Sequence, residues 1–291
     1  MSKVLQATKN AFLADHVIGG NQVLPTVCAI AWMAKAAENI YEGYQYQGLG
    51  NYKLFKGITF DGLNDDSKQD YFTDLKLLSG SAQLAEGSSS SYLRVEARIS
   101  SLAENPQGRP VFHYSAELIL AKTPLTKKYY EGDFPDLSVS ASQKKDAQDL
   151  YQNGTLFHGE SLQGIQAILR CDQQGLLLAC RVPELALARQ GEFVIGQNNI
   201  FADDLVYQAM LVWVRKQLGL GSLPSSTKAW TVYRAIEAGE LFYLQLDVLV
   251  QQANRLVADI VLIDQDKQIV AEINSAEVTA SESLNELFKH A

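Results

Sequence analysis

TVCAIAWMAKAAENIY, residues 26–41, is the stretch that decides the fold. Its apolar residues recur at the spacing of an α-helix, and its commonest residue is alanine, the strongest helix former. The helix would be apolar nearly all round, and such a helix is normally enclosed by other elements instead of lying on a surface. The stretch therefore predicts a central helix that the rest of its domain wraps.

The same pattern recurs once, at residues 202–218, ADDLVYQAMLVWVRKQL. Its apolar residues again recur at helical spacing, and Gly219 supplies a stop signal. Runs of strand-forming residues bounded by turn residues follow each helix. They lie at 52–61, 71–80, 91–101 and 109–121, and at 229–239, 241–252, 255–266 and 268–279. A helix followed by antiparallel strands, repeated once, predicts an α+β fold with two similar halves.

A polar stretch that contains proline and serine, residues 125–150, separates the two patterns. We therefore predict a first domain at 1–124, a linker at 125–148 and a second domain at 149–291. Residues 149–170 are expected to supply the strands that open the second domain.

Composition limits the partners and the compartment. The chain has 291 residues, 47% of them apolar, and a net charge of −8, which argues against nucleic-acid and anionic-membrane partners because both need a basic face. It has no run of about 18 apolar residues and no signal-peptide pattern at its N-terminus. Its three cysteines, Cys28, Cys171 and Cys180, show no CxxC spacing. These features predict a cytoplasmic protein with reduced thiols.

The first candidate site is DHVIGGNQVLP, residues 15–25, just before the first helix. Pro25 fixes the entry of the chain into the helix, and Gly20 permits either a turn or a close approach to a ligand. A helix N-terminus presents free N–H groups that could hold a carbonyl oxygen gaining negative charge. His16 is a candidate proton-transfer group beside it, although a lone histidine is more often a structural residue.

The second candidate site lies on the second helix, where Asp204 and Gln208 are four residues apart and share one face. A carboxylate on an otherwise apolar helix is costly unless it has a partner, and Gln208 could be that partner. The simpler interpretation for Asp203 or Asp204 is capping of the helix N-terminus.

The third candidate is YQNGTLFHG, residues 151–159, in which aromatic residues and glycines suggest a tight turn beside a channel. A plain hairpin with packed aromatic residues explains the segment equally well. His158 could serve as a base, but the sequence shows no carboxylate partner for it. His113 fits an ordinary strand position.

Together, these segments resemble the dehydratase domains of polyketide synthases. His16, Gly20 and Pro25 match that family's HxxxGxxxxP motif, DLVYQ at 204–208 matches DxxxQ/H, and YQNGTLFHG matches YxxGxxFxG. The motifs come in the family's order, and the resemblance covers nearly the whole chain. Within the family, the sequence is most similar to the dehydratase-like domain at the end of the first subunit of bacterial polyunsaturated fatty acid synthases.

The resemblance implies a double hotdog fold, in which each central helix is wrapped by a curled antiparallel sheet. It implies dehydration of a 3-hydroxyacyl thioester on an acyl carrier protein, with His16 as the base and Asp204 as the acid. Gln208 would orient Asp204, and Thr26 would lie where helix N–H groups polarise the thioester carbonyl. The predicted substrate-binding residues are Tyr151, Gly154 and Phe157, which would shape the acyl tunnel or hydrogen-bond the catalytic pair.

The resemblance further implies no metal and no redox cofactor, only the phosphopantetheine arm of the carrier protein. The other domains of a megasynthase would be partners, and a homodimer stays open. The chain departs from the family at Thr26, where a glycine usually follows the proline, and at Thr155, where proline is common. Two alternatives remain: a product-template-like domain for cyclisation or isomerisation, and an inactive docking module of a megasynthase.

Overall fold

The computed structural model describes residues 1–60, 70–78, 92–102, 108–132, 140–196 and 198–288. Two long helices lie inside one large antiparallel sheet. The first half of the chain forms these elements: β1 (Ser2–Val4), β2 (Val17–Ile18), β3 (Asn21–Val23), α1 (Thr26–Ile40), β4 (Gln45–Leu54), β5 (Thr59–Phe60), β6 (Asp70–Leu78), β7 (Tyr92–Leu102) and β8 (Pro110–Ala121).

The second half of the chain continues the numbering. It forms β9 (Lys128–Tyr129), α2 (Ala141–Gln152), β10 (Ile165–Cys171), β11 (Gly175–Arg181), α3 (Leu187–Gln190), α4 (Ile200–Leu218), β12 (Gly221–Val232), β13 (Leu241–Gln252), β14 (Arg255–Asp264), β15 (Gln268–Ser281) and α5 (Ser283–Phe288). Short 3₁₀ turns at Ala7–Lys9, Ala11–Asp15 and Glu160–Leu162 connect them.

The strand order shows that the two halves repeat one topology. The large sheet runs β1-β6-β7-β8-β4-β12-β15-β14-β13-β11-β10. In each half the strand after the long helix pairs with the last strand of that half, so that β4-β8-β7-β6 corresponds to β12-β15-β14-β13. A second, three-stranded sheet joins β2, β3 and β5.

The two half-sheets meet where β4 pairs with β12, with Trp230 opposite Leu49 and Thr231 opposite Gly48. The helices α1 and α4 contact each other inside the sheet. Every residue of α4 from Ile200 through Val214 is buried except Asp203. Both central helices are enclosed, as their apolar patterns predicted, and they share one continuous core.

The structure corrects several predicted boundaries. Helix α4 begins at Ile200, two residues earlier than predicted, because the side chain of Asn199 accepts hydrogen bonds from the N–H groups of Phe201 and Ala202. Capping therefore belongs to Asn199, and the interpretation of Asp203 or Asp204 as the cap is wrong. Strand β12 begins at Gly221 instead of residue 229, with a register irregularity beside Pro224.

The predicted linker, where it is described, contains secondary structure. Strand β9 pairs with β15, and α2 starts with a capping box in which Ser140 and Gln143 satisfy each other's backbone N–H groups. Ala147 and Leu150 of this helix are buried against the core. The remaining linker residues, 133–139, lie outside the described residues, as do 61, 79–80 and 91 of the predicted strands.

The three cysteines are free, as predicted. None of the helices in the described part of the chain is long and apolar enough to cross a membrane.

The junction between the halves depends on Gly48, whose φ of +147° disfavours other residues and whose added Cβ would lie 2.1 Å from the carbonyl oxygen of Trp230. We expect Gly48→Ala to lower the free energy of unfolding by about 2 kcal/mol or more, because the chain must relieve both strain and overlap. Gly50→Ala is the matched control, since a Cβ there meets Lys228 at an ordinary 3.7 Å. Equal denaturation midpoints for the two variants would contradict this role.

Candidate active site

A cavity of about 190 Å³ lies between the two halves. Its wall is mainly apolar, with a few polar side chains. The lining residues are His16, Ile18, Val23, Leu24, Thr26, Leu54, Gly57, Tyr114, Phe157, His158, Asp204, Tyr207, Leu211, Ser222, Leu223 and Pro224. An apolar cavity in which a few titratable groups converge is the usual form of a small-molecule site.

His16 is held in one orientation by the hairpin that follows it. Its backbone carbonyl accepts a hydrogen bond from Val23 N, and its ring Nδ1 lies 2.8 Å from the carbonyl oxygen of Val23. Because a carbonyl only accepts hydrogen bonds, Nδ1 must carry the proton in the neutral ring. The Nε2 lone pair of His16 is then free to act as a base.

Gly19 and Gly20 form the turn between β2 and β3, with φ values of +61° and +81°. Two central residues with positive φ are typical of a tight hairpin turn, so Gly20 serves the turn and does not line the cavity. Pro25 is the N-cap residue of α1, and Thr26 follows it as the first helical residue. Thr26 lines the cavity, at the end of the helix where backbone N–H groups lack intrahelical partners.

Asp204 is oriented by a chain of hydrogen bonds through Gln208. The side-chain amide of Gln208 donates to Asp204 Oδ2 at 2.8 Å and to the carbonyl of Leu162 at 2.8 Å. Gln208 Oε1 accepts from the hydroxyl of Tyr151 at 2.9 Å, and that hydroxyl in turn accepts from Ile165 N. Gln208 is 1% exposed, so this network holds the carboxyl group inside the core.

His158 is the site residue for which the sequence showed no partner. The structure places its Nε2 3.4 Å from Asp204 Oδ2, and its backbone bridges to that of His16. The sequence around position 158 gives no sign of these two contacts, because each of them joins segments far apart in the chain.

Gly159 lets the segment that carries His158 pack closely against the segment that carries His16. Gly159 N donates to the carbonyl of Asp15, and Ser161 N donates to Asp15 Oδ2. A Cβ on Gly159 would lie 2.2 Å from Asp15 Oδ1, so any larger residue would force the Asp15 side chain to shift. The close approach brings His158 against His16, with ring centroids 5.4 Å apart.

Burial shifts the pKa values of the two histidines and of the aspartate in opposite directions. It lowers the pKa of His16, against the influence of Asp204, and lowers the pKa of His158 well below its ordinary value, with the neighbouring His16 adding to the effect. It raises the pKa of Asp204, opposed by His16 and by the hydrogen bond from Gln208. The arrangement favours neutral imidazoles beside a carboxyl group that keeps its proton to a higher pH than usual.

Known protein families include one that matches this chain. Residues 132–287, more than half of the chain, match the family model of the polyketide synthase dehydratase N-terminal domain. The chain belongs to the polyketide synthase dehydratase family. The matched region is the second half of the structure, with α4 and Asp204.

A curated relative from Thraustochytrium sp., one of the subunits of its polyunsaturated fatty acid synthase, is 30% identical over 248 residues. The match covers 84% of this chain and 8% of that protein, so the chain spans less than a tenth of the relative's length. The expected similarity to polyunsaturated fatty acid synthases is confirmed.

Solved dehydratase domains share the fold. The dehydratase domain of RzxB from Pseudomonas fluorescens has a TM-score of 0.68 at 14% identity, covering 95% of this chain and 92% of that chain. The dehydratase domain of PpsC from Mycobacterium tuberculosis, solved with a twelve-carbon, singly unsaturated acyl-CoA, has a TM-score of 0.64 at 17% identity, covering 96% and 92%. The hotdog fold is thereby confirmed.

The structure brings some of the predicted site residues together and separates others. His16, Thr26, Phe157 and Asp204 line one cavity. Tyr151 does not line it, but its hydroxyl bonds Gln208, which in turn bonds Asp204. Gly154 is exposed in the turn after α2, with φ +75°, and does not line the cavity. Its assignment to substrate binding has no support in this geometry. Thr155 bonds Asn153 in the same turn.

Tyr151→Phe tests the network without touching the cavity. We expect turnover to fall roughly tenfold, because Gln208 loses the donor that fixes its amide and Asp204 loses its fixed orientation. Stability should fall by about 1–3 kcal/mol, since Ile165 N loses its acceptor. Tyr130→Phe is the control, because it removes a 2.7 Å bond to Gln245 away from the cavity. Equal turnover in both variants, compared at matched stability, would contradict the orienting role.

Proposed function

We propose that this chain dehydrates a 3-hydroxyacyl thioester carried on an acyl carrier protein, giving a 2-enoyl thioester and water. The observation that carries the proposal is the convergence of His16 and Asp204, from different halves of the chain, on one apolar cavity. Family membership supports the reaction class, and the acyl-CoA bound by the PpsC domain supports a thioester substrate.

Two proton transfers make up the reaction. His16 Nε2 removes the C2 proton, and the electron pair of that C–H bond forms the C2–C3 double bond as the C3–O bond breaks. Asp204 gives its proton to the departing hydroxyl, which leaves as water. Return of the proton from His16 to Asp204 restores both groups.

The surroundings suit these roles. Gln208 donates to Asp204 Oδ2, which leaves Oδ1 to carry the proton towards the substrate hydroxyl. The N-terminus of α1 at Thr26 would polarise the thioester carbonyl as charge develops on its oxygen. Phe157 and the aliphatic lining residues would contact the acyl chain. The elimination is complete with these proton transfers, so we propose that it needs no metal or redox cofactor.

The carrier protein and further megasynthase domains are proposed as partners in the cytoplasm. A carrier-bound substrate would reach the cavity on a phosphopantetheine arm, and the chain's match to a small part of a synthase polypeptide fits a domain within a larger assembly.

Removal of either catalytic group should nearly abolish dehydration. We expect His16→Ala and Asp204→Asn each to lower kcat by about 10²-fold or more, as is usual for general acid–base groups. The double variant should be little worse than either single one, because the groups act as a unit. Turnover of a short 3-hydroxyacyl thioester and the reverse hydration are the measurements.

Asp203→Asn is the matched control, because Asp203 neighbours Asp204 on α4 and does not line the cavity. It should keep wild-type turnover. Full activity in His16→Ala or Asp204→Asn, with thermal midpoints showing a folded protein, would overturn the assignment.

The pH dependence should reflect both shifted groups. The pKa of His16 lies below its ordinary 6.5, so the base form persists to lower pH, and the pKa of Asp204 lies above its ordinary 3.8, so the acid form persists to higher pH. We expect a bell-shaped profile of kcat/KM whose two limbs belong to the coupled pair. The residual activity of Asp204→Asn should keep the acid limb and lose the alkaline limb. An unchanged alkaline limb would exclude Asp204 as its source.

A further inference from the structure

The proposed elimination uses one histidine and one carboxyl group, yet a second histidine shares the site. One ligand atom from each of His16, His158 and Asp204 lies within 4.8 Å of the others, and all three side chains are buried. Two imidazole nitrogens and a carboxylate oxygen are a donor set that zinc prefers.

The distances suit a metal ion. Bonds of about 2.0–2.1 Å in tetrahedral geometry place two ligand atoms roughly 3.3 Å apart. His158 Nε2 and Asp204 Oδ2 are already 3.4 Å apart. The ligand atom of His16 lies within 4.8 Å of the other two, so it must close by at most about 1.5 Å to reach the same spacing.

The outer contacts also fit. His16 Nδ1 is bonded to the carbonyl of Val23, which leaves Nε2 as the nitrogen available to a metal ion. Metal-ligating histidines usually donate their other N–H to such a carbonyl, and ligating carboxylates are themselves hydrogen-bonded, as Asp204 is by Gln208. The cavity borders all three side chains, so a fourth position would be open to water or a thioester ligand.

His158 supplies an independent observation. Its side chain is 5% exposed, and its Nδ1 has no hydrogen-bond partner among the described residues. Its Nε2 faces Asp204, but the pair does not form a well-aligned hydrogen bond in the described structure. A buried imidazole normally satisfies its nitrogens. In the tautomer that carries its proton on Nδ1, the Nε2 lone pair that faces Asp204 is available to a metal ion.

We propose that His16, His158 and Asp204 bind one divalent transition-metal ion of the zinc type, and that the bound ion blocks dehydration. The ion would take the Nε2 lone pair that removes the C2 proton and the carboxylate that protonates the leaving group. Mg²⁺ and Ca²⁺ are poor candidates because they require six or more oxygen ligands. Metal binding stands on the geometry alone, whereas the inhibition rests on the proposed function.

Cobalt titration tests the site directly. The tag-free protein, stripped with EDTA and dialysed, is titrated with Co²⁺ while its visible absorption is followed, and Zn²⁺ is then added. We expect one Co²⁺ per chain with the intense bands of a four- or five-coordinate ion, lost when Zn²⁺ displaces it. His158→Gln should weaken binding by at least about 10²-fold, because losing even an outer contact costs 10- to 100-fold.

His113→Gln is the matched control. His113 is also buried, but it is bonded to Ser101 and to the carbonyl of Lys56, away from the cluster. It should bind Co²⁺ like the wild type, and thermal midpoints establish that both variants are folded. Absence of binding in the wild type, or equal binding in His158→Gln, would overturn the proposed site.

The activity arm separates the two proposals. Zn²⁺ should abolish dehydration at one equivalent, with full recovery on adding EDTA. Bound Zn²⁺ with unchanged turnover would overturn the inhibition, and turnover without any metal binding would overturn the site but leave the proposed function standing. Cobalt binding by a folded protein that never dehydrates 3-hydroxyacyl thioesters would overturn the proposed function but leave the metal site standing.

Discussion

The pairing of β4 with β12 is the constraint on which the rest of the structure depends. It joins two half-sheets that share one four-strand order and thereby places α1 and α4 against each other in one core. His16 precedes α1 and Asp204 lies in the first turns of α4, so contact between the helices brings groups from different halves to one cavity. A slip of one residue at this pairing would reverse the faces of β12, which is why Gly48 and its close approach to Trp230 matter at a distance from the chemistry.

The same burial that builds the core prepares the titratable groups. Taking charge out of water disfavours the cation of a histidine and the anion of a carboxylic acid, so burial lowers the pKa of His16 and raises that of Asp204. The free-energy cost of burying the Asp204 carboxyl group is limited by the hydrogen bond from the Gln208 amide. That amide is held by hydrogen bonds with Tyr151 and with the carbonyl of Leu162. The network is stable in the apolar core because each donor in it meets an acceptor: Tyr151 donates to Gln208, and Gln208 donates to Asp204 and to the carbonyl of Leu162.

Much of this could be predicted from the sequence. Both central helices follow from local apolar periodicity, and His16 and Asp204 stood out because polar residues in such settings need a reason. The α2 helix was missed although Ser140 begins a readable capping box, since its polar face resembled a linker. The early start of β12 was missed because Pro224 argues against a strand and is accommodated here by an irregular register. His158 is a possible base from the sequence alone, but its partners His16 and Asp204 could not be predicted because they come from tertiary pairing.

His158 changes how the site should be understood. An acid–base pair needs two groups that exchange protons, and a metal site needs three or more that share lone pairs. Adding a buried imidazole 3.4 Å from the carboxyl group meets the second requirement without disturbing the first. The two uses exclude each other, since a lone pair donated to a metal cannot remove a proton. If both proposals hold, catalysis would depend on the free concentration of such ions, because the donor set proposed for elimination is also the one that would bind them.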